Sequence, residues 1–205
     1  MTFLITLMSL ATLVGPASAD TYANYNALKS HKSINVDYKI ESNDTASSTA
    51  VIAIHGGTIE SETTQIASAV ASKGGYDFYS FEGIKSGSSL HITSTAFDEP
   101  IGRKLVAKSN KTLSIHGCTG TSLVTNLGGL DTALGQKVKA SLQAAGFKVV
   151  KAPSSLAGTA RTNIGNSNTI HKGVQLELTK SMRNQLASNS KAFNLYTTAL
   201  ATALK

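Results

Sequence analysis

Two stretches of the chain end in a histidine followed by glycine: Ile54-His55-Gly56-Gly57 and Ile115-His116-Gly117. Each closes a predicted strand: Ala50–Ile54, apolar throughout as a strand buried on both faces of a parallel sheet should be, and Thr112–Ile115. In an open α/β sheet, ligands sit beyond the C-terminal ends of the strands. Two histidines delivered to that edge are either partners in one site or two unrelated strand ends. Glu60 follows His55 by five residues, and the intervening Gly56-Gly57-Thr58-Ile59 can fold its carboxylate back beside the imidazole. Two histidines and a carboxylate make the set that catalytic zinc favours, three protein ligands with an open position for water. A plain acid at a helix N-terminus is the alternative for Glu60, and Glu62 serves that purpose equally well.

Such a site needs a base that is not itself a ligand. Glu177 stands on the otherwise apolar run Gly173-Val174-Gln175-Leu176-Glu177-Leu178. A carboxylate on a buried strand is uncommon without a partner, which singles it out from the exposed acids. The other reading is an edge strand whose solvent side carries both Gln175 and Glu177. Cys118, directly after His116-Gly117, has no evident base partner and reads as a small buried residue.

These residues need elements to hold them. The pattern predicts a short helix over Asn24–Ser30, a strand over Asn35–Glu41 and a polar loop over Ser42–Thr49. Helical spacing of Ile66, Ala69 and Val70 predicts a helix over Glu60–Ser72, stopped by Gly74-Gly75. Further strands are predicted at Tyr76–Glu82, Leu90–Thr95, Phe147–Lys151 and Val174–Leu178. Helices are predicted at Glu99–Ser109, Asp131–Ala145 and Lys191–Lys205, and Gly158–Lys172 reads as a loop over the site. Strands alternating with helices imply an α/β fold with three layers, a mostly parallel mixed sheet covered by helices on both faces.

Composition narrows the function classes. Of 205 residues, 41% are hydrophobic and 15% charged, which excludes a disordered tail and a membrane bundle. A single Cys excludes a disulfide framework and a zinc ribbon. The net charge of +7, from 19 Lys and Arg against 12 Asp and Glu, suits an anionic partner. The Lys residues are scattered, without an Arg-rich run or interleaved aromatics, so no nucleic acid is expected as partner.

The N-terminus predicts export. Phe3–Val14 is apolar but too short to span a bilayer, and Gly15-Pro16 then Ala17-Ser18-Ala19 mark a cut after Ala19. Residues 1–19 are read as a signal peptide and 20–205 as one hydrolase domain, secreted and without a membrane segment once cut. Nothing in the chain demands more than a monomer. The sequons at Asn43 and Asn110 accept glycans in a eukaryotic host.

Five motifs occur in order between residues 55 and 178: His55-Gly56-Gly57-Thr58-Ile59-Glu60, Leu90-His91-Ile92-Thr93-Ser94-Thr95, Phe97-Asp98-Glu99-Pro100, Ser114-Ile115-His116-Gly117 and Gly173-Val174-Gln175-Leu176-Glu177-Leu178. Together they resemble the poly-γ-glutamate hydrolase family of phage enzymes and their bacterial relatives. Weaker similarity extends from Tyr22 through Gly128-Gly129-Leu130-Asp131 to Met182-Arg183. The resemblance implies a compact relative of the zinc carboxypeptidase fold that cleaves γ-amide bonds of polyglutamate. It implies one zinc ion, Zn2+, held by His55, Glu60 and His116, a metal-activated water, and Glu177 as the general base that passes a proton to the leaving α-amine.

Every unit of that polymer carries a free α-carboxylate, so a basic trough is expected to hold it. Candidates are Arg103, Arg161, Lys172 and Arg183, with His91 as a residue that orients substrate. The chain departs from the family pattern at Ala96, where a His is usual, and at Asn166-Ser167, where Asn-Arg is common. Cleavage of cell-wall peptides by the same chemistry, or a non-catalytic secreted effector that keeps the fold, are therefore alternative expectations.

Overall fold

A computed structural model of the chain describes residues 20–86 and 88–205; the predicted export signal lies outside them. Seven strands form one mixed sheet: β1 (Tyr38–Asn43), β2 (Thr49–Gly57), β3 (Asp77–Gly83), β4 (Lys111–Cys118), β5 (Thr125–Gly129), β6 (Val149–Lys151) and β7 (Val174–Thr179), in the order β1-β3-β2-β4-β7-β5-β6. The central strands β3, β2, β4 and β7 run parallel. β1 is antiparallel to β3 at one edge, and β5 is antiparallel to β7 toward the other. The α/β class with a mostly parallel mixed sheet is thus as the pattern predicts.

Helices cover both faces. α2 (Thr63–Gly74), α4 (Thr132–Ala144), α5 (Lys180–Ser188) and α6 (Ser190–Ala203) close the larger core, in which Val51, Leu113, Ile115 and Leu176 meet Ile66, Val138 and Leu200. α1 (Tyr25–Lys29) and α3 (Pro100–Ala107) close the second, where Ile52, Ile54, Tyr79 and Phe81 meet Leu28, Leu105 and Val106. The alternation along each central strand sorts its side chains between these two cores. Glu99 caps α3, accepting from the amides of Ile101 and Gly102, with Pro100 opening the first turn.

One predicted strand is absent, and two observed elements were not predicted. Leu90–Thr95 is not a strand: a 3₁₀ turn covers Ser88–Leu90, and the chain then crosses the sheet edge unpaired. Leu90 and Ile92 alternate because both plug the second core, not because they join a ladder. β5 was not predicted, since Thr-Asn-Leu-Gly-Gly carries no apolar run. α5 was not predicted either; it has few apolar residues and only Asn189 separates it from α6.

The connections position the site. β2 leads through α2 to β3 on one side, while β3 leads through α3, on the opposite face, to β4 on the other side of β2. The direction of winding therefore reverses between β2 and β4, where such sheets open a crevice. The β2–β4 ladder ends at Ile52 and Ser114, whereas β4 stays paired with β7 out to Cys118 and Thr179.

Candidate metal centre

Both strand-end histidines arrive at that crevice. On β4, Ser114 and His116 point to the face opposite Leu113 and Ile115, and in register with them on β7 stand Gln175 and Glu177. β7 lies between β4 and β5, so the edge-strand reading of Glu177 is overturned: Glu177 is 6% exposed. His55 sits where the β2–β3 register breaks, between Ala53 and Gly56. Strict alternation would set it beside Val51 and Ala53, yet its ring meets Ile92, His91 and His116. Gly56 makes the break possible, since a Cβ there would fall 2.1 Å from Thr64 Oγ1 and 2.6 Å from Ser80 Oγ.

Glu60 reaches back as the sequence anticipates, although α2 begins only at Thr63. The Glu60 amide donates to the His55 carbonyl at 2.8 Å, closing the turn. Its Oε2 accepts from Gly117 N at 2.7 Å, and Oε1 lies 3.0 Å from His55 Nδ1. His116 Nδ1 is 3.1 Å from His55 Nδ1 and 3.6 Å from Glu60 Oε2. The far nitrogens are also engaged: His55 Nε2 is 2.9 Å from Ile92 O and His116 Nε2 is 2.9 Å from Ser114 Oγ.

These contacts test whether a metal fits. A carbonyl only accepts, so His55 Nε2 donates to Ile92 O, and Nδ1 is the ring atom that faces Glu60 and His116. Two imidazole nitrogens and a carboxylate turned toward one another are the donor set that zinc takes. Ligand atoms 2.0–2.1 Å from a tetrahedral zinc are about 3.3 Å apart; the two Nδ1 atoms are 3.1 Å apart, and the Glu60 carboxylate comes to 3.0 Å of His55 through Oε1 and 3.6 Å of His116 through Oε2. Ile92 O and Ser114 Oγ hold the rings from behind, as partners of metal-binding histidines do. The residues fit.

His91 stands at the same place. His55, Glu60 and His91 each bring a donor atom within 4.8 Å of the others, a possible metal-binding triad. His91 stacks on His55, with centroids 4.1 Å apart and planes at 32°, while His116 meets it edge-on at 76°. His116 Nδ1 comes to 3.1 Å from His55 Nδ1. His91 Nδ1 is bound to Asp20 Oδ1 at 2.5 Å, and Asp20 Oδ2 accepts from Thr93 N.

Electrostatics follow from burial and proximity. Burial raises the Glu60 carboxyl pKa, but His55 and then His116 outweigh it and hold the group well below the usual carboxylate range. Burial pushes Glu177 up to about 7, with His116 opposing and the Glu60 charge adding to the rise. Burial, then the charge of Glu177, lifts the Cys118 thiol to about 11.

The basic candidates separate. Arg183 is buried on α5 and makes four hydrogen bonds to the protein: Nε to Leu178 O, Nη1 to Ser61 O and Oγ, and Nη2 to Cys118 O. It thereby ties the residue after Glu60 to the end of β4. Arg103, on α3, and Arg161 and Lys172, in the 158–172 loop, are exposed. Asn163, Gln175 and Asp20 escaped the sequence reading, although a Gln on a buried strand two residues before Glu177 was a signal for one of them.

Residues 22–202 match the family model described as poly-gamma-glutamate hydrolase. YoqZ, an SPbeta prophage-derived protein of Bacillus subtilis strain 168, is 36% identical over 96% of this chain and 71% of its own length. A bacteriophage poly-gamma-glutamate hydrolase structure superposes with TM-score 0.86 at 31% identity, covering 90% of this chain and 96% of that one. A structure described as zinc-free apo YndL gives TM-score 0.80 at 32% identity, covering 91% and 98%. The chain belongs to the poly-gamma-glutamate hydrolase family.

Proposed function

We propose that the protein is a secreted, monomeric zinc-dependent hydrolase of γ-glutamyl amide bonds, with poly-γ-glutamate as first substrate. The observation that carries it is the convergence of His55 Nδ1, the Glu60 carboxylate and His116 Nδ1 beside the buried Glu177, in a chain of this family. These three residues hold the zinc, and the zinc-free description of the YndL structure supports the choice of metal. Bound there, zinc supplies a Lewis acid for the scissile carbonyl and lowers the pKa of water.

The chain's own groups do the rest. Glu177 Oε1 accepts from Gln175 Nε2, which leaves Oε2 to take a proton from water and return it to the departing α-amine. Ile92 O and Ser114 Oγ hold the two imidazoles in place, and Gly117 N together with Arg183, through Ser61, holds Glu60. The polymer lies along the strand ends, with Arg161, Arg103 and His91 available to its α-carboxylates and Arg183 beneath. The net charge of +7 favours approach of the polyanion.

The test is the chain length of purified polyglutamate after incubation with residues 20–205, with and without a zinc chelator. Shortening that the chelator abolishes supports both metal and substrate. No shortening by a zinc-loaded sample removes polyglutamate as the substrate.

A further inference from the structure

The loop over the site carries an inference that rests on the reading of Glu177 as proton acceptor. Gly165 N donates to Asn163 Oδ1 at 2.8 Å. A backbone N–H can only donate, so the Asn163 amide has one orientation, with Nδ2 turned away from Gly165. Nδ2 lies 3.0 Å from Gln175 Oε1, which fixes the Gln175 amide in turn. Its Nε2 donates to Glu177 Oε1 at 3.0 Å and to the Leu156 carbonyl at 3.2 Å. Every other orientation sets two oxygens or two N–H groups face to face. All three side chains are more than nine-tenths buried: Asn163 4%, Gln175 7% and Glu177 6% exposed.

We infer that Asn163 is a positioning residue for Glu177, acting through Gln175. The direction of the relay is set by the Gly165 amide and ends at one carboxylate oxygen, which holds Glu177 in a single rotamer with Oε2 as its free atom. Aspartate at 163 would still accept from Gly165 N but would offer no donor to Gln175. Oxygen would then face oxygen, and turning the Gln175 amide to relieve that contact would set its oxygen against Glu177 and Leu156 O. The loop has little freedom to absorb the change. Asn166 Nδ2 donates to Gly158 O and Ala160 O, Asn166 Oδ1 accepts from Gly173 N, and Ile164 N donates to Ser94 O. Gly158, at φ +60°, backs Gln175 so closely that a Cβ would come 2.3 Å from Oε1.

The experiment is Asn163→Asp in residues 20–205, read in three ways. The Gln175 side-chain amide resonance should shift in 15N–1H spectra while the backbone spectrum and zinc content stay as in the wild type. Hydrolysis should show kcat lowered about ten- to a hundredfold, the range for removing an outer hydrogen-bond partner, with KM unchanged. In a Glu177→Gln background, the same substitution should cause no further loss. An unmoved Gln175 resonance, or an equal loss in both backgrounds, overturns the relay. If the wild type cleaves no polyglutamate, the hydrolase reading fails and the Gln175 resonance alone decides the relay. Should Asn163→Asp fail to fold, Asn163→Ser, which keeps an acceptor at that position but removes the amide donor to Gln175, must show the same kcat loss and non-additivity.

Discussion

At the scale of single residues, the site is two imidazoles and a carboxylate held from behind by the Ile92 carbonyl, the Ser114 hydroxyl and the Gly117 amide. Glu177→Gln keeps the shape and the Gln175 bond but removes the carboxylate proposed as proton acceptor. Hydrolysis should fall by about a hundred- to ten-thousandfold, the usual worth of a general base, while zinc measured by atomic absorption stays stoichiometric. His116→Ala should lose metal and activity together, and a Glu177→Gln variant at full activity would remove Glu177 from the chemistry. Cys118 offers a contrast. A thiol at about 11 is protonated at pH 7.5, and the thiolate is the reactive form. Iodoacetamide should therefore label native Cys118 slowly at pH 7.5 and faster as the pH approaches 11, and Cys118→Ser should retain activity. His55, His116 and Glu60 were legible because strand ends in α/β sheets collect at one edge. Asn163 and Asp20 were not, since a lone polar residue in a polar loop carries no periodic signal and its role depends on which distant strand it meets.

Secondary-structure elements decide how firmly that edge is built. β2 was readable as an apolar β-branched run, β3 by its alternation, and α2 and α4 by their spacing. β5 and α5 were not, because tertiary contacts rather than propensity make them. β5 pairs antiparallel with β7 from Thr125–Leu178 to Gly129–Val174, so it is the wall that keeps Glu177 from being an edge residue. Gly129 closes it at φ +95°, and a Cβ there would lie 2.2 Å from Gly173 O and 2.8 Å from Val174 Cα. Both objections are to backbone, which cannot rotate aside. Gly129→Ala should cost on the order of 2–3 kcal/mol, combining a strained φ with a forced shift. Urea unfolding monitored by circular dichroism measures it, and an unchanged midpoint would show that the β5–β7 junction gives way easily.

For the molecule as a whole, one buried charge works against stability. Glu82 is 6% exposed, its Oε1 has no hydrogen-bond partner, and Lys39 is 3.5 Å from Oε2. Burial, then the Glu41 charge, raises its pKa above 4.5 despite Lys39. A carboxyl whose folded pKa is raised binds its proton more tightly when folded, so it contributes nothing adverse below the unfolded value near 4.5 and opposes folding as the pH rises past it. Glu82→Gln should therefore raise Tm at pH 7.5 and leave it unchanged at pH 4. A gain of equal size at both would assign the effect to packing.

The bond from Asp20 to His91 has a practical side. Asp20 lies beside the ring that stacks on His55, whereas residue 205 lies at the far rim of the sheet, where Lys111 Nζ holds the carbonyls of Leu204 and Lys205. The two ends are thus unequal as handles. Tethered to a bead through residue 205, the protein should degrade a long polymer as fast as it does free in solution. Tethered ahead of Asp20, it should lose rate on long chains and keep it on short ones. Equal rates from both tethers would mean that the approach to the crevice is open from every side.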